Sequence, residues 1–198
     1  DDYELKIDYQ ATTSEKTIVN LTNHCFFNLK DGGKSKIVDH HLTLHAPRFT
    51  PIDSTLIPTG EIRDVKGTPM DFTQGKKIGK DISEPYTQLE YGKGYDHNFV
   101  LKKSHPHALT LAAEVYEPHT GRKMEVYTTE PGMQFYSGNF LDGDDVGKNG
   151  VSYHYRSGFC LEAQHYPDSP NKEHFPPVVL EPDEQYTQQT IYQFSTGK

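Results

Sequence analysis

Apolar and polar residues alternate with a period of two in stretch after stretch of this 198-residue chain. In ELKIDYQA, residues 4–11, Leu5, Ile7 and Tyr9 fall on one side and Lys6 and Asp8 on the other. HHLTLHA (40–46) alternates through Leu42, Leu44 and Ala46. ALTLAAEVYE (108–117) does so through Leu109, Leu111, Ala113 and Val115, and KMEVYTT (123–129) through Met124 and Val126. GFCLEAQHY (158–166) and YTQQTIYQF (186–194) complete the set. Side chains on a strand point alternately to its two faces, so this pattern predicts antiparallel strands with one face buried. Sixteen glycines and thirteen prolines punctuate the strands, and no long, capped segment of helical period is present. The predicted fold class is all-β, a large antiparallel β-sandwich. Residues 47–94 and 142–157 read as long loops. With no internal repeat, low-complexity tract or linker, residues 1–198 form one domain.

Composition narrows the function. Hydrophobic residues make up 33% and charged residues 24%, as in a globular protein with a packed core. No apolar run is long enough for a transmembrane helix and no signal-peptide pattern is present. The expected location is the cytoplasm, with periplasm and secretion left open. The chain opens DDYELKIDY without an initiator methionine, as a processed or trimmed product would. Net charge is −8 and no basic stripe exists, which argues against nucleic acid, anionic membranes and strongly anionic substrates. A neutral small molecule is the default ligand. Cys25 and Cys160 give neither a disulfide framework nor a metal cluster. Tryptophan is absent, but 13 tyrosines and 10 phenylalanines can fill a core or face a ligand.

Three segments carry candidate chemistry. NLTNHCFFNL (20–29) places His24 in a stretch rich in β-formers, either as a hydrogen-bonded core residue or as a proton carrier in a pocket. In GYDHNF (94–99), Asp96 and His97 follow a glycine turn. In GFCLEAQHYPDSPN (158–171), a strand over 159–164 sets Phe159, Leu161 and Ala163 on one face and Cys160, Glu162 and Gln164 on the other. Lone strand glutamates are mostly exposed and inert. A carboxylate between Cys and Gln suits a concave, ligand-holding face better. His24 and Cys25, adjacent on a strand, would face apart and form no nucleophile–base pair. The sequon Asn20-Leu21-Thr22 falls in a predicted strand and is discounted. The His40–His41 and His105–His107 pairs read as loop residues rather than metal ligands.

Taken together, these blocks resemble the aldose 1-epimerases, the galactose mutarotase family. NLTNHCFFNL is similar to the family's Asn-x-Thr-Asn-His-x-Tyr-Phe-Asn-Leu signature, GYDHNFVL to its Tyr-Asp-His block, and TTEPGMQFYSGNFLDG (128–143) to its Glu-Pro-Gly-x-Gln-Phe-Tyr block. GFCLEAQHYPDSPN and LEPDEQYTQQTIYQF are similar to its Cys-Leu-Glu-x-Gln block and closing strand. Phe26 stands where the signature usually has Tyr, and Asp183 where the tail usually has Gly. Family members are longer, and their N-terminal part supplies a second active-site His, an Arg and an Asn. The resemblance therefore implies that residues 1–198 are the C-terminal portion of one sandwich domain. Open sheet edges and reduced stability in isolation are expected, and a possible partner is the missing N-terminal segment.

The resemblance also implies an activity: interconversion of the α and β anomers of a hexose such as galactose or glucose. It places the base at Glu162 and the acid at His24, with Asp96 and Gln134 on sugar hydroxyls and Phe135 or Tyr136 stacking on the ring. Histidines titrate near neutrality and carboxylates are ionised there, so the pair fits general acid–base catalysis. No metal or other cofactor is required. Alternatives are a non-catalytic carbohydrate-binding β-sandwich, a glycoside hydrolase pairing Asp96 with Glu162, and a structural β-domain. A relative acting on phosphorylated hexoses would want an Arg or Lys cluster, and none is evident.

Overall fold

The computed structural model describes residues 3–197. Its strands are β1 (Glu4–Ala11), β2 (Thr17–Ile18), β3 (His41–Leu44), β4 (Arg48–Phe49), β5 (Arg63–Asp64), β6 (Lys76–Lys77), β7 (Asp96–Val100), β8 (Thr110–Glu117), β9 (Arg122–Thr128), β10 (Gly132–Tyr136), β11 (Cys160–Gln164), β12 (Val179–Leu180) and β13 (Tyr186–Thr196). A six-residue helix, α1 (Thr87–Gly92), precedes β7. The strands form a six-stranded sheet, β1-β13-β9-β8-β3-β6, a five-stranded sheet, β11-β10-β7-β4-β5, and the small pair β12-β2. All pairings between these strands are antiparallel. The architecture is the all-β sandwich that the alternation predicts.

The core lies between the two large sheets. Leu42, Leu44, Val115, Met124, Val126 and Tyr192 come from the first, and Phe49, Phe99, Met133, Phe135, Leu161 and Ala163 from the second. The Tyr192 hydroxyl donates to the Leu161 carbonyl at 2.9 Å and ties the sheets across this core. Burial of such side chains contributes about 1.5–3 kcal/mol each and is the main stabilising term.

One strand breaks the predicted alternation. In β8, Leu111 pairs with Tyr127 but Ala113 pairs with Val126, so a bulge at Ala112 takes up one extra residue. The bulge inverts the phase: Leu109 is exposed and Leu111 half-buried, while Ala112, Ala113 and Val115 are buried. The stretch 47–94, read as a long loop, holds the two-residue strands β4, β5 and β6 and the helix α1. The GYDHNF turn runs on into the buried β7, and PGMQFY, which the alternation did not mark, forms β10. His40 does lie in the irregular turn before β3, but it is fully buried there, and its Nε2 accepts from the Leu29 amide at 3.0 Å. His41 opens β3. His105 and His107 do lie in an irregular segment.

Candidate active site

The outer face of the five-stranded sheet carries the polar residues that the core cannot accept. Antiparallel register puts directly paired residues on one side. Gln134 pairs with Glu162 on β11 and with Asn98 on β7, and Tyr136 pairs with Cys160 and with Asp96. Two parallel rows result: Glu162, Gln134 and Asn98, then Cys160, Tyr136 and Asp96. A diagonal hydrogen bond links the rows, from Gln134 Nε2 to Asp96 Oδ1 at 2.8 Å. The carboxamide oxygens of Gln134 and Asn98 are buried without a partner among the described residues.

His24 reaches this face from outside the sheet. The 20–29 segment is not the strand its residues suggest. It makes a single bridge, Phe27 with Phe159, and is otherwise irregular. Asn side chains explain this, because they compete for backbone groups that a strand would use. Asn20 Nδ2 donates to the His165 carbonyl and its Oδ1 accepts the His165 amide, both at 3.0 Å. Asn23 Oδ1 accepts the Cys25 amide at 3.2 Å. The segment is therefore pinned at both ends of β11, by Asn20 at one end and Phe27 at the other, and arches free between them. The sequon asparagine lies outside any strand, with both polar atoms of its side chain occupied.

At the top of the arch, His24 Nε2 lies 3.4 Å from Glu162 Oε1. Its Nδ1 lies 3.5 Å from Cys160 Sγ. The His24 side chain is 55% exposed and that of Glu162 only 8%. Removal from water pushes the Glu162 carboxyl up to about 7, the neighbouring Asp96 charge adds to the effect, and His24 opposes it. Asp96 is raised by burial, against the lowering influence of Gln134 and His24. The buried Cys160 thiol is held well above its usual range. The ligand atoms of His24, Cys160 and Glu162 all lie within 4.8 Å of one another, and among the described residues this trio is the set with the reach to hold a metal ion.

Aromatic rings flank the pair. Phe26 sits 5.2 Å and Tyr136 6.3 Å from the His24 ring, and Phe140 stacks on Tyr136. Phe135, expected to stack on a sugar, faces the other way: it is fully buried in the core against Tyr95 and Phe72. Alternation along β10 dictates this, since Gln134 and Tyr136 share the face that Phe135 cannot. His97 is also a core residue, its imidazole pushed down to about 3 by complete burial. Asn98 is the site neighbour that the motif reading did not single out, and its place in the rows follows only from the β7–β10 register. Cys160 falls on the face of Glu162 that alternation along β11 gives it.

A second histidine–carboxylate pair lies at the far end of β11. His165 Nδ1 is 2.6 Å from Glu130 Oε2, with side chains 13% and 1% exposed. Lys103 lies close enough to Glu130 to feel its charge, although burial brings the ammonium down to about 8.

Known proteins resemble this chain in sequence and fold over nearly its whole length. The family model for aldose 1-epimerase matches residues 1–193. Bovine galactose mutarotase is 48% identical over 194 residues, covering 98% of this chain and 55% of its own. The aldose 1-epimerase of Escherichia coli K12 is 38% identical over 196 residues, covering 98% and 56%. Among solved structures, the aldose epimerase homologue from C. elegans superposes with a TM-score of 0.86 at 31% identity, covering 99% of this chain and 57% of that one. Galactose 1-epimerase from Lactobacillus acidophilus superposes at 0.83 with 26% identity, covering 100% and 55%. The chain thus spans about half the length of the curated relatives it matches. With family model, sequence and fold in agreement, the chain belongs to the aldose 1-epimerase family.

Proposed function

We propose that the chain supplies the acid–base pair of a mutarotase, acting on a free hexose such as galactose or glucose. The observation that carries the reading is the His24–Glu162 pair at 3.4 Å, set over a sheet face that offers Asp96 and Gln134. Anomer exchange needs a base for the proton of the C1 hydroxyl and an acid for the ring oxygen. Glu162 takes the first proton and His24 delivers the second. The ring opens to the aldehyde, C1 turns about the C1–C2 bond, and the same groups close the ring on the other face. A carboxyl near 7 is matched to this work, half-ionised where the enzyme must both accept and return a proton. Asp96 and Gln134 orient ring hydroxyls, and Tyr136, with Phe26 beside it, offers an aromatic surface to the sugar's C–H face.

By the same reading the chain is the C-terminal part of a single sandwich domain whose remainder packs beside it. Its expected location is the cytoplasm. The exposed free Cys25 suits a reducing compartment, and no helix among the described residues is long and apolar enough to cross a membrane. Polarimetry on freshly dissolved α-D-galactose tests the activity. Acceleration over the spontaneous rate supports the assignment. Sugar binding without acceleration makes the chain a carbohydrate-binding module instead.

A further inference from the structure

The proposed chemistry uses His24 and Glu162 but leaves unexplained the buried thiol beside them, 3.5 Å from the His24 ring. We propose that His24, Cys160 and Glu162 form a site for a soft divalent cation of the Zn²⁺ type. An imidazole nitrogen, a thiolate sulfur and a carboxylate oxygen are the donors such an ion accepts together. Metal–ligand lengths of about 2.0–2.3 Å in a tetrahedron place donor atoms roughly 3.3–3.8 Å apart. His24 already stands 3.4 Å from Glu162 and 3.5 Å from Cys160, through its two ring nitrogens. All three donors fall within 4.8 Å for one choice of atoms. A turn of the half-exposed imidazole brings one nitrogen onto the ion.

The supports are rigid where they need to be. Cys160 and Glu162 are alternate residues of β11, both buried and paired to β10, so their side chains start from fixed positions on one face. His24 lies on the pinned arch and opens to solvent, which provides an entry path and a fourth position for water. Asp96 adds negative charge that acts on both Cys160 and Glu162. On binding, the Cys160 S–H bond breaks, the sulfur bonds the metal, and the proton leaves to solvent. Metal and aldose would then exclude one another, since each needs His24 and Glu162. That last step alone rests on the mutarotase reading.

Cobalt(II) is the probe, because a thiolate–cobalt bond gives a charge-transfer band in the near ultraviolet. Titration into the 198-residue chain is expected to give this band with saturation at one equivalent and loss on adding Zn²⁺. Cys160→Ala and Cys160→Ser are expected to abolish the band and to weaken Zn²⁺ binding by more than about 100-fold, beyond the usual cost of an outer-shell change. His24→Ala weakens the cobalt site. Cys25→Ala, which removes the other thiol, leaves it intact. Circular dichroism verifies that each variant is folded. No band in the unmodified chain, a band that survives Cys160→Ala, or one lost with Cys25→Ala overturns the proposal. Polarimetry with Zn²⁺ reads the competition separately: inhibition that Cys160→Ala relieves supports it, and undiminished exchange at saturating Zn²⁺ refutes it. Failure of the mutarotase reading would leave the cobalt result standing.

Discussion

The two histidine–glutamate pairs along β11, one at the middle of the strand and one just past its C-terminal end, use the same groups to opposite ends. Glu130 and His165 are closed: 2.6 Å apart, both nearly out of reach of water. Glu162 and His24 are open: 3.4 Å apart, the carboxylate buried and the imidazole half in solvent. A closed pair satisfies its own hydrogen bonds and offers no lone pair or proton to a ligand. An open pair leaves both groups underused and reachable, which is what a reacting hydroxyl requires. The difference lies in the supporting backbone. His165 directly follows β11 with its amide bound by Asn20, and Glu130 lies just before β10 with its amide bound by Thr128 Oγ1. His24 sits on an arch held only at its ends, through Asn20 and Phe27. One strand thereby serves as chemistry at its middle and as anchor at its C-terminal end.

The strongest way to break this comparison is to remove each pair and measure anomer exchange. His24→Ala and Glu162→Gln are each expected to lower kcat about 10²–10⁴-fold, the usual worth of a general acid or base. Glu130→Gln and His165→Ala are expected to cost less than about tenfold. Equal losses at the two pairs would show that openness is not what separates them.

Unfolding in urea should rank the pairs in reverse. Glu130→Ala strips a buried partner from His165 and leaves Lys103 without its counter-charge, at a cost of about 2–4 kcal/mol. His24→Ala, at a half-exposed position, should cost under about 1 kcal/mol. A His24→Ala chain as unstable as Glu130→Ala would mean that the arch is structural.

Asn20 sharpens the comparison further, since its side chain bonds the backbone of the closed pair's histidine while its own segment carries the open pair's. Asn20→Ala removes both 3.0 Å hydrogen bonds and lets the arch drift. The expected result is a drop of about tenfold in kcat with little change in KM, since a misplacement of order 1 Å weakens proton transfer more than binding. Asn20→Asp retains the acceptor for the His165 amide and should recover part of the loss. A change confined to KM would reassign Asn20 to sugar binding.

The legible part of this fold was the part governed by alternation. β1 runs Glu4–Ala11, the stretch its pattern marks out, and β11 presents Cys160 and Glu162 opposite Leu161 and Ala163 as period two requires. Where another constraint overrides period two, the sequence misleads. The Ala112 bulge shifts Leu109 and Leu111 outward, and no residue type announces it. β7 is buried along most of its length, so Asp96-His97-Asn98 shows no alternation and looks like a turn. The 20–29 segment has the composition of a strand, but its asparagines bind backbone elsewhere. The motifs marked His24, Glu162, Asp96 and Gln134, which the structure brings to one face. They also marked Phe135, which the pleat turns into the core. The place of Asn98 beside Gln134 depends on strand register, which is information about pairs of distant segments and is absent from either segment alone.

A pH-dependent effect concerns the open pair's contribution to stability. In the unfolded chain the Glu162 carboxyl titrates near 4.5, and in the folded one near 7. Between those values the folded chain holds a proton that the unfolded chain has shed, so stability falls as pH rises across this window and stays lower above it. Glutamine carries no such dependence. Glu162→Gln should match the unmodified chain near pH 4 and exceed its stability by about 1–2 kcal/mol at pH 8, read as a higher midpoint in urea. Over the same window the exchange rate of the unmodified protein should climb, because the base is ionised only above about 7. The closed pair provides the control: Glu130→Gln gives no gain at pH 8, since it removes a partnered carboxylate rather than a strained one. A Glu162→Gln chain that is no more stable at pH 8 than at pH 4, relative to its parent, would mean that Glu162 is not held against ionisation. The open pair would then owe its reactivity to position alone.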